Sequence, residues 1–99
     1  MSDDLGDLDP VLRRAVAVLR AMAYEHRLHI LVLLREGGHT PAALTERIPA
    51  ESTTIAHHLR FLLDAGLIRR VRRGRNVVYS LPGESTRRLI GEVLKHAEP

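Results

Sequence analysis

Ninety-nine residues make one domain with no room for a second, and with only three aromatic residues (Tyr24, Phe61 and Tyr79) its core must be aliphatic. The absence of cysteine excludes disulfides, thiolate metal sites and cysteine catalysis. The net charge of +3 is local: residues 60–75 hold six arginines against the single acid Asp64, a net +5, while the rest holds nine bases and eleven acids, a net −2. That concentration points to a nucleic-acid edge rather than a generally basic protein.

Residues 1–9 carry Asp3, Asp4, Asp7 and Asp9 and are expected to form a flexible acidic N-terminus, too polar for a signal peptide. The apolar runs, residues 30–34 among them, are too short to span a membrane, so a soluble intracellular protein is expected, cytoplasmic if bacterial. Pro10 can open a first helix, with Val11, Leu12, Ala15, Val18, Leu19 and Met22 at helical spacing. A second helix is predicted over 25–36, stopped by Gly37-Gly38.

Thr40 and Pro41 form an N-cap and first-turn pair for a short helix over 41–48, ended by Pro49. Ser52 or its neighbour caps the next helix, 52–65, whose Ile55, Leu59 and Leu62 lie at i, i+4 and i+7 and face the core. Leu67–Val71 and Asn76–Leu81 favour extended backbone, with Gly74 supplying the turn. A last helix is predicted over 84–96, with Leu89, Ile90, Val93 and Leu94 on one side.

Helix, turn, helix and arginine-rich hairpin, in that order, spell a winged helix-turn-helix over residues 10–99, mainly α with a two-stranded β-wing. The first and last helices lie outside the reading module. Either they cover one chain's own core, or Val11, Leu12, Val18, Leu19, Leu89, Ile90 and Val93 pair two copies into a dimer.

The polar residues at the front of the fourth helix, Thr53, Thr54, His57 and Arg60, with Ser52 before them, are candidates for base edges in the major groove. Ser52 and Thr53 have a capping alternative, and a cap can itself hold a phosphate. His58 is expected to pack against the body of the domain. Arg72, Arg73, Arg75 and Asn76 at the wing tip suit phosphates or a narrow minor groove, and Arg69 and Arg70 suit backbone contacts. No carboxylate pair, activated nucleophile or glycine-rich phosphate loop is visible, which argues against an enzyme.

The segments HRLHILVLL (26–34), STTIAHHLRFLLDAGLI (52–68) and RRGRNVVYSL (72–81) resemble the ArsR/SmtB family of bacterial winged-helix regulators over about residues 11–97. The matches include Arg27, Leu28, Ile30 and Leu31 in the second helix and Gly74, Arg75 and Tyr79 in the wing. The resemblance implies a homodimer on an inverted-repeat operator, usually a repressor released by a metal ion or another signal.

One sensing site of that family joins the two last helices. His96 falls on its late histidine position and Glu98 lies close to the last ligand position, while Gly83 and Ser85 replace the early pair with Glu84 between them. Nitrogen and oxygen ligands suit Ni(II), Zn(II) or Co(II). Actinobacterial nickel sensors of the family use such ligands, so nickel is the first expectation and zinc the second. A solvated His96 that merely favours the helix dipole is the plainer alternative. His26 and His29, one helical turn apart, form a rival pair. Two other readings stay open: a metal-blind regulator signalled by a partner protein, and an interaction module that has lost DNA contact.

Overall fold

The structure, a computed structural model, describes residues 9–99. The expected flexible acidic segment therefore lies almost wholly outside the described residues. Five helices and one hairpin follow in the order α1 (Pro10–Met22), α2 (Glu25–Leu34), α3 (Pro41–Arg47), α4 (Ser52–Asp64), β1 (Arg69–Arg73), β2 (Asn76–Ser80) and α5 (Glu84–Ala97).

Local chemistry sets most boundaries. The Asp9 carboxylate accepts the Val11 N–H at 2.7 Å and Pro10 fills the first helical position, so α1 begins where its first N–H groups find a partner. Thr40 does the same for α3, accepting the Ala43 N–H at 3.1 Å ahead of Pro41. The second helix stops two residues short of expectation. Arg35, Glu36 and Gly37 donate to Val32, Leu33 and Leu34 in tightened three-residue turns, and Gly37 then takes φ +142°. At α4, Ser52 is the first helical residue and not the cap. Glu51 holds the cap position in extended backbone and makes no side-chain bond there.

Ile30, Leu31, Leu34, Leu44, Ile55, Leu59 and Leu62 are fully buried and join α2, α3 and α4 in one aliphatic core. Truncating one of them, Leu62→Ala for instance, costs about 2–5 kcal/mol. The hairpin is antiparallel, with Arg69 opposite Ser80 and Arg73 opposite Asn76, closed through Gly74 at φ +63°. It begins two residues later than expected because Leu67 and Ile68 are drawn into the core instead. Its root is tied down by a reciprocal pair: the His39 N–H donates to Tyr79 O at 2.9 Å and the Tyr79 N–H to His39 O at 2.8 Å.

One side chain joins three helices. Arg27 Nε donates to Ala21 O at 2.7 Å and Nη2 to Arg20 O at 3.2 Å, so it caps the C-terminal carbonyls of α1. The same guanidinium stands 4.1 Å from the Phe61 ring centroid and 4.9 Å from that of Tyr24.

The expected dimer surface needs correction. Ile90 is fully buried in its own chain, and Val18 and Val93 pack partly against the same core. Helix α5 must hold one chain together before it can hold two. Val11 (63 % exposed), Leu12 (47 %), Leu19 (57 %) and Leu89 (37 %) stay open to solvent.

Candidate nucleic-acid interface

At about 100° per residue, α4 turns Ile55, His58, Leu59 and Leu62 inward, and all four are buried. Thr53, His57 and Arg60 then lie on the opposite side, and all three are exposed. Ser52 is exposed on the flank. Thr54 is turned half into the domain, which places it at the edge of the outward face rather than on it. Among the described residues no side chain caps α4, so its first N–H groups remain open to an anion.

Strand register fixes the two faces of the wing. Residues paired across the ladder share a face, so Arg70 and Arg72 lie with Val77 and Tyr79. Arg69, Val71 and Arg73 lie on the other face with Ser80, Val78 and Asn76. Arg75 occupies the turn beside Gly74. All of these arginines are exposed. A long contact from Arg69 Nε to Ser80 Oγ, 3.4 Å, is the hydrogen bond the group makes. Among the described residues no carboxylate pairs with Arg60, Arg70, Arg72, Arg73 or Arg75; the ion pairs lie elsewhere, at Glu36, Glu84 and Glu92. Cations without an internal counter-charge, arrayed beside an outward polar helix, suit a polyanion.

His58 is buried as the sequence suggests, but its surroundings were not foreseen. Its ring lies 5.1 Å from Tyr24, 5.9 Å from His26 and 6.0 Å from His57, centroid to centroid. Among the described residues its Nδ1 is buried without a hydrogen-bond partner. Burial, followed by the charges of Arg27, His26 and His57, lowers its pKa from the usual imidazole value. The His-His doublet was the available signal, but its partners come from α2, more than thirty residues earlier. Arg27 was legible only as a family match, and its contacts give the physical reason for it.

The expected metal ligands do not converge within one chain. Glu84 opens the 14-residue α5 and Glu98 follows its end, so about 20 Å of helix separates them. Glu84 pairs with Arg87 at 3.5 Å. His96 and Glu92 share a helix face, and His96 Nδ1 donates to Glu92 O at 2.9 Å. Among the described residues no group of three or more His, Asp or Glu side chains is placed to hold a metal ion. In the rival pair, the His26 ring lies 6.4 Å from Tyr24 and 5.9 Å from His58, centroid to centroid.

A buried three-helix core, an outward polar face on α4 and an unpaired cationic hairpin define a winged helix-turn-helix transcriptional regulator. The comparisons agree. Residues 16–96 match the family described as methanogenesis regulatory protein FilR1, N-terminal domain. The HTH-type transcriptional regulator NmtR of Mycobacterium tuberculosis is 36 % identical over 85 residues, 86 % of this chain and 71 % of that protein. The homodimeric winged helix-turn-helix DNA-binding domain Mb0332 of Mycobacterium bovis superposes with a TM-score of 0.84 at 29 % identity, covering 98 % of this chain and 90 % of that one. HlyU of Vibrio cholerae, a transcriptional activator, superposes at 0.81 with 26 % identity over 89 % of this chain and 96 % of its own. The chain belongs to the ArsR/SmtB family of winged helix-turn-helix regulators. It is a regulator and not an enzyme. Among the described residues no helix is long and apolar enough to cross a membrane.

Proposed function

We propose that two copies of this chain bind an inverted-repeat operator and repress the adjacent gene. The observation that carries the reading is the coincidence of two open surfaces on one rigid core: the uncompensated arginines beside α4, and the exposed apolar residues Val11, Leu12, Leu19 and Leu89 on α1 and α5. Thr53, His57 and Arg60 meet base edges in the major groove, with Ser52 and Thr54 at its margin. Arg72, Arg73, Arg75 and Asn76 hold phosphates, and their reach extends into the neighbouring minor groove. Titrating the protein onto its own promoter DNA and onto a random duplex tests this. Tight, salt-sensitive and sequence-selective binding is expected. Equal affinity for both duplexes at every salt concentration refutes base reading and favours an interaction module.

We further infer that a divalent metal, Ni(II) first and Zn(II) or Co(II) after it, modulates that affinity through His96, with Glu84 and Glu98 supplied from the α5 segments of both copies, Glu98 just past the helix end. His96 carries the argument. A carbonyl only accepts, so the proton sits on Nδ1 and the Nε2 lone pair is left free, which is the ligand-ready tautomer with its outer bond already made. Calorimetry with each metal on the native chain and on His96→Ala is the test. Loss of the tightest site, with metal-free DNA binding intact, is expected. Identical titrations exclude His96. A second reading is a metal-blind regulator whose signal arrives through a partner protein; among the described residues no three-ligand group forms within one chain.

A further inference from the structure

The recognition helix is wedged against α2 by a buried imidazole that has no acceptor for a second proton. His58 sits on the inward face of α4 at 5 % exposure, against Tyr24, which precedes α2, and against His26 in its first turn. The charged and titratable groups whose fields reach it are Arg27 and His26 on α2 and its own neighbour His57, with no carboxylate among them. Its Nδ1 is already buried and unpaired. A neutral ring fits this place at the cost of one unmet acceptor. A protonated ring puts a charge and an unmet N–H donor beside Tyr24 and His26 and within the field of Arg27. Outward movement of the ring would remove that charge from the pocket and, with it, the ring's contacts to Tyr24 and His26 at the start of α2.

We propose that the His58 junction is a proton-sensitive catch. Acidification expels the ring, frees α4 from α2 and releases sequence-specific DNA. The inference rests on the operator-binding reading for its consequence, although the catch itself is a property of the folded chain. The direction follows from the lowered pKa. Its full stabilising effect is present above the ordinary imidazole value of about 6.5 and is lost as pH falls below that value toward His58's own.

The test compares the native chain with His58→Phe, which keeps an aromatic ring against Tyr24, and His58→Gln, which keeps a polar group that does not titrate. Thermal stability and affinity for promoter and random duplexes are measured at constant ionic strength from about pH 7.5 to about pH 5.5, a window that spans the imidazole range. The native chain should lose stability and promoter selectivity on acidification, by up to about tenfold for each unit of pKa displacement. Either variant should flatten both profiles, and the His58 ring followed by NMR should titrate below its usual value. Parallel profiles in the native chain and whichever variant folds overturn the proposal, as does a His58 ring that titrates at or above the usual value. Failure to select promoter DNA even at neutral pH instead sinks the operator reading, and the stability profile and the NMR titration still decide the catch.

Discussion

Two surfaces of this molecule are left open, and they are open for opposite reasons. The face formed by α4 and the wing is polar and cationic, and it is anchored from behind: Thr53, His57 and Arg60 ride on Ile55, Leu59 and Leu62, and the wing root is stitched to His39. On α1 and α5 the apolar side chains Val11, Leu12, Leu19 and Leu89 stand open to water. The first surface is water-stable and waits for a polyanion. The second is a cost until another apolar surface covers it. The difference shows how a domain this small divides its apolar residues. Those beneath the proposed reading face are sealed within one chain, and those proposed to join two copies remain outside.

The strongest way to break this division is Leu19→Glu combined with Leu89→Glu. Both side chains are exposed, so one chain should still fold, while light scattering should report monomers. Affinity for a palindromic operator should fall by about 10²–10⁴, the gain that tethering two readers supplies. A monomeric native chain that binds a palindrome equally well removes the basis for the division.

Smaller effects are expected on the reading face. His57→Ala or Thr53→Ala should reduce discrimination between operator and random DNA by roughly 1–3 kcal/mol for each lost base contact, measured by competition binding. Thr54→Ala should do less, because Thr54 is turned partly inward. Arg72→Ala or Arg75→Ala should weaken both kinds of DNA in parallel and lower the slope of log affinity against log salt by about one unit for each lost phosphate contact. A wing change that alters selectivity instead would move the wing from positioning to base reading.

The sequence revealed whatever short-range chemistry decides. The Thr40-Pro41 start of α3, the Gly74 turn and the inward stripe of α4 are each set within a few residues, and each appears where it was expected. The second helix ends two residues early because its last turn tightens into three-residue bonds before Gly37, and the first strand begins two residues late because Leu67 and Ile68 look like strand and are used as core. Ile90 was assigned outward because helical periodicity shows that a stripe is apolar but not which of two apolar neighbours covers it. The junction around His58 was invisible for a similar reason. Nothing within ten residues of the His-His doublet announces that Tyr24 and His26 will meet it.

The Arg27 contact also sets where this chain can be cut and rejoined. Its guanidinium belongs to α2, its hydrogen bonds end on α1, and its ring partners are Tyr24 and Phe61, the latter on the helix that reads. A chimaera that imports a relative's fourth helix to change operator preference therefore imports or loses half of a stacking pair, even if every base-facing residue is chosen well. Keeping Phe61 while exchanging only Thr53, His57 and Arg60 leaves the anchorage of α1 undisturbed. The natural unit of exchange is thus a face of the helix, not the helix.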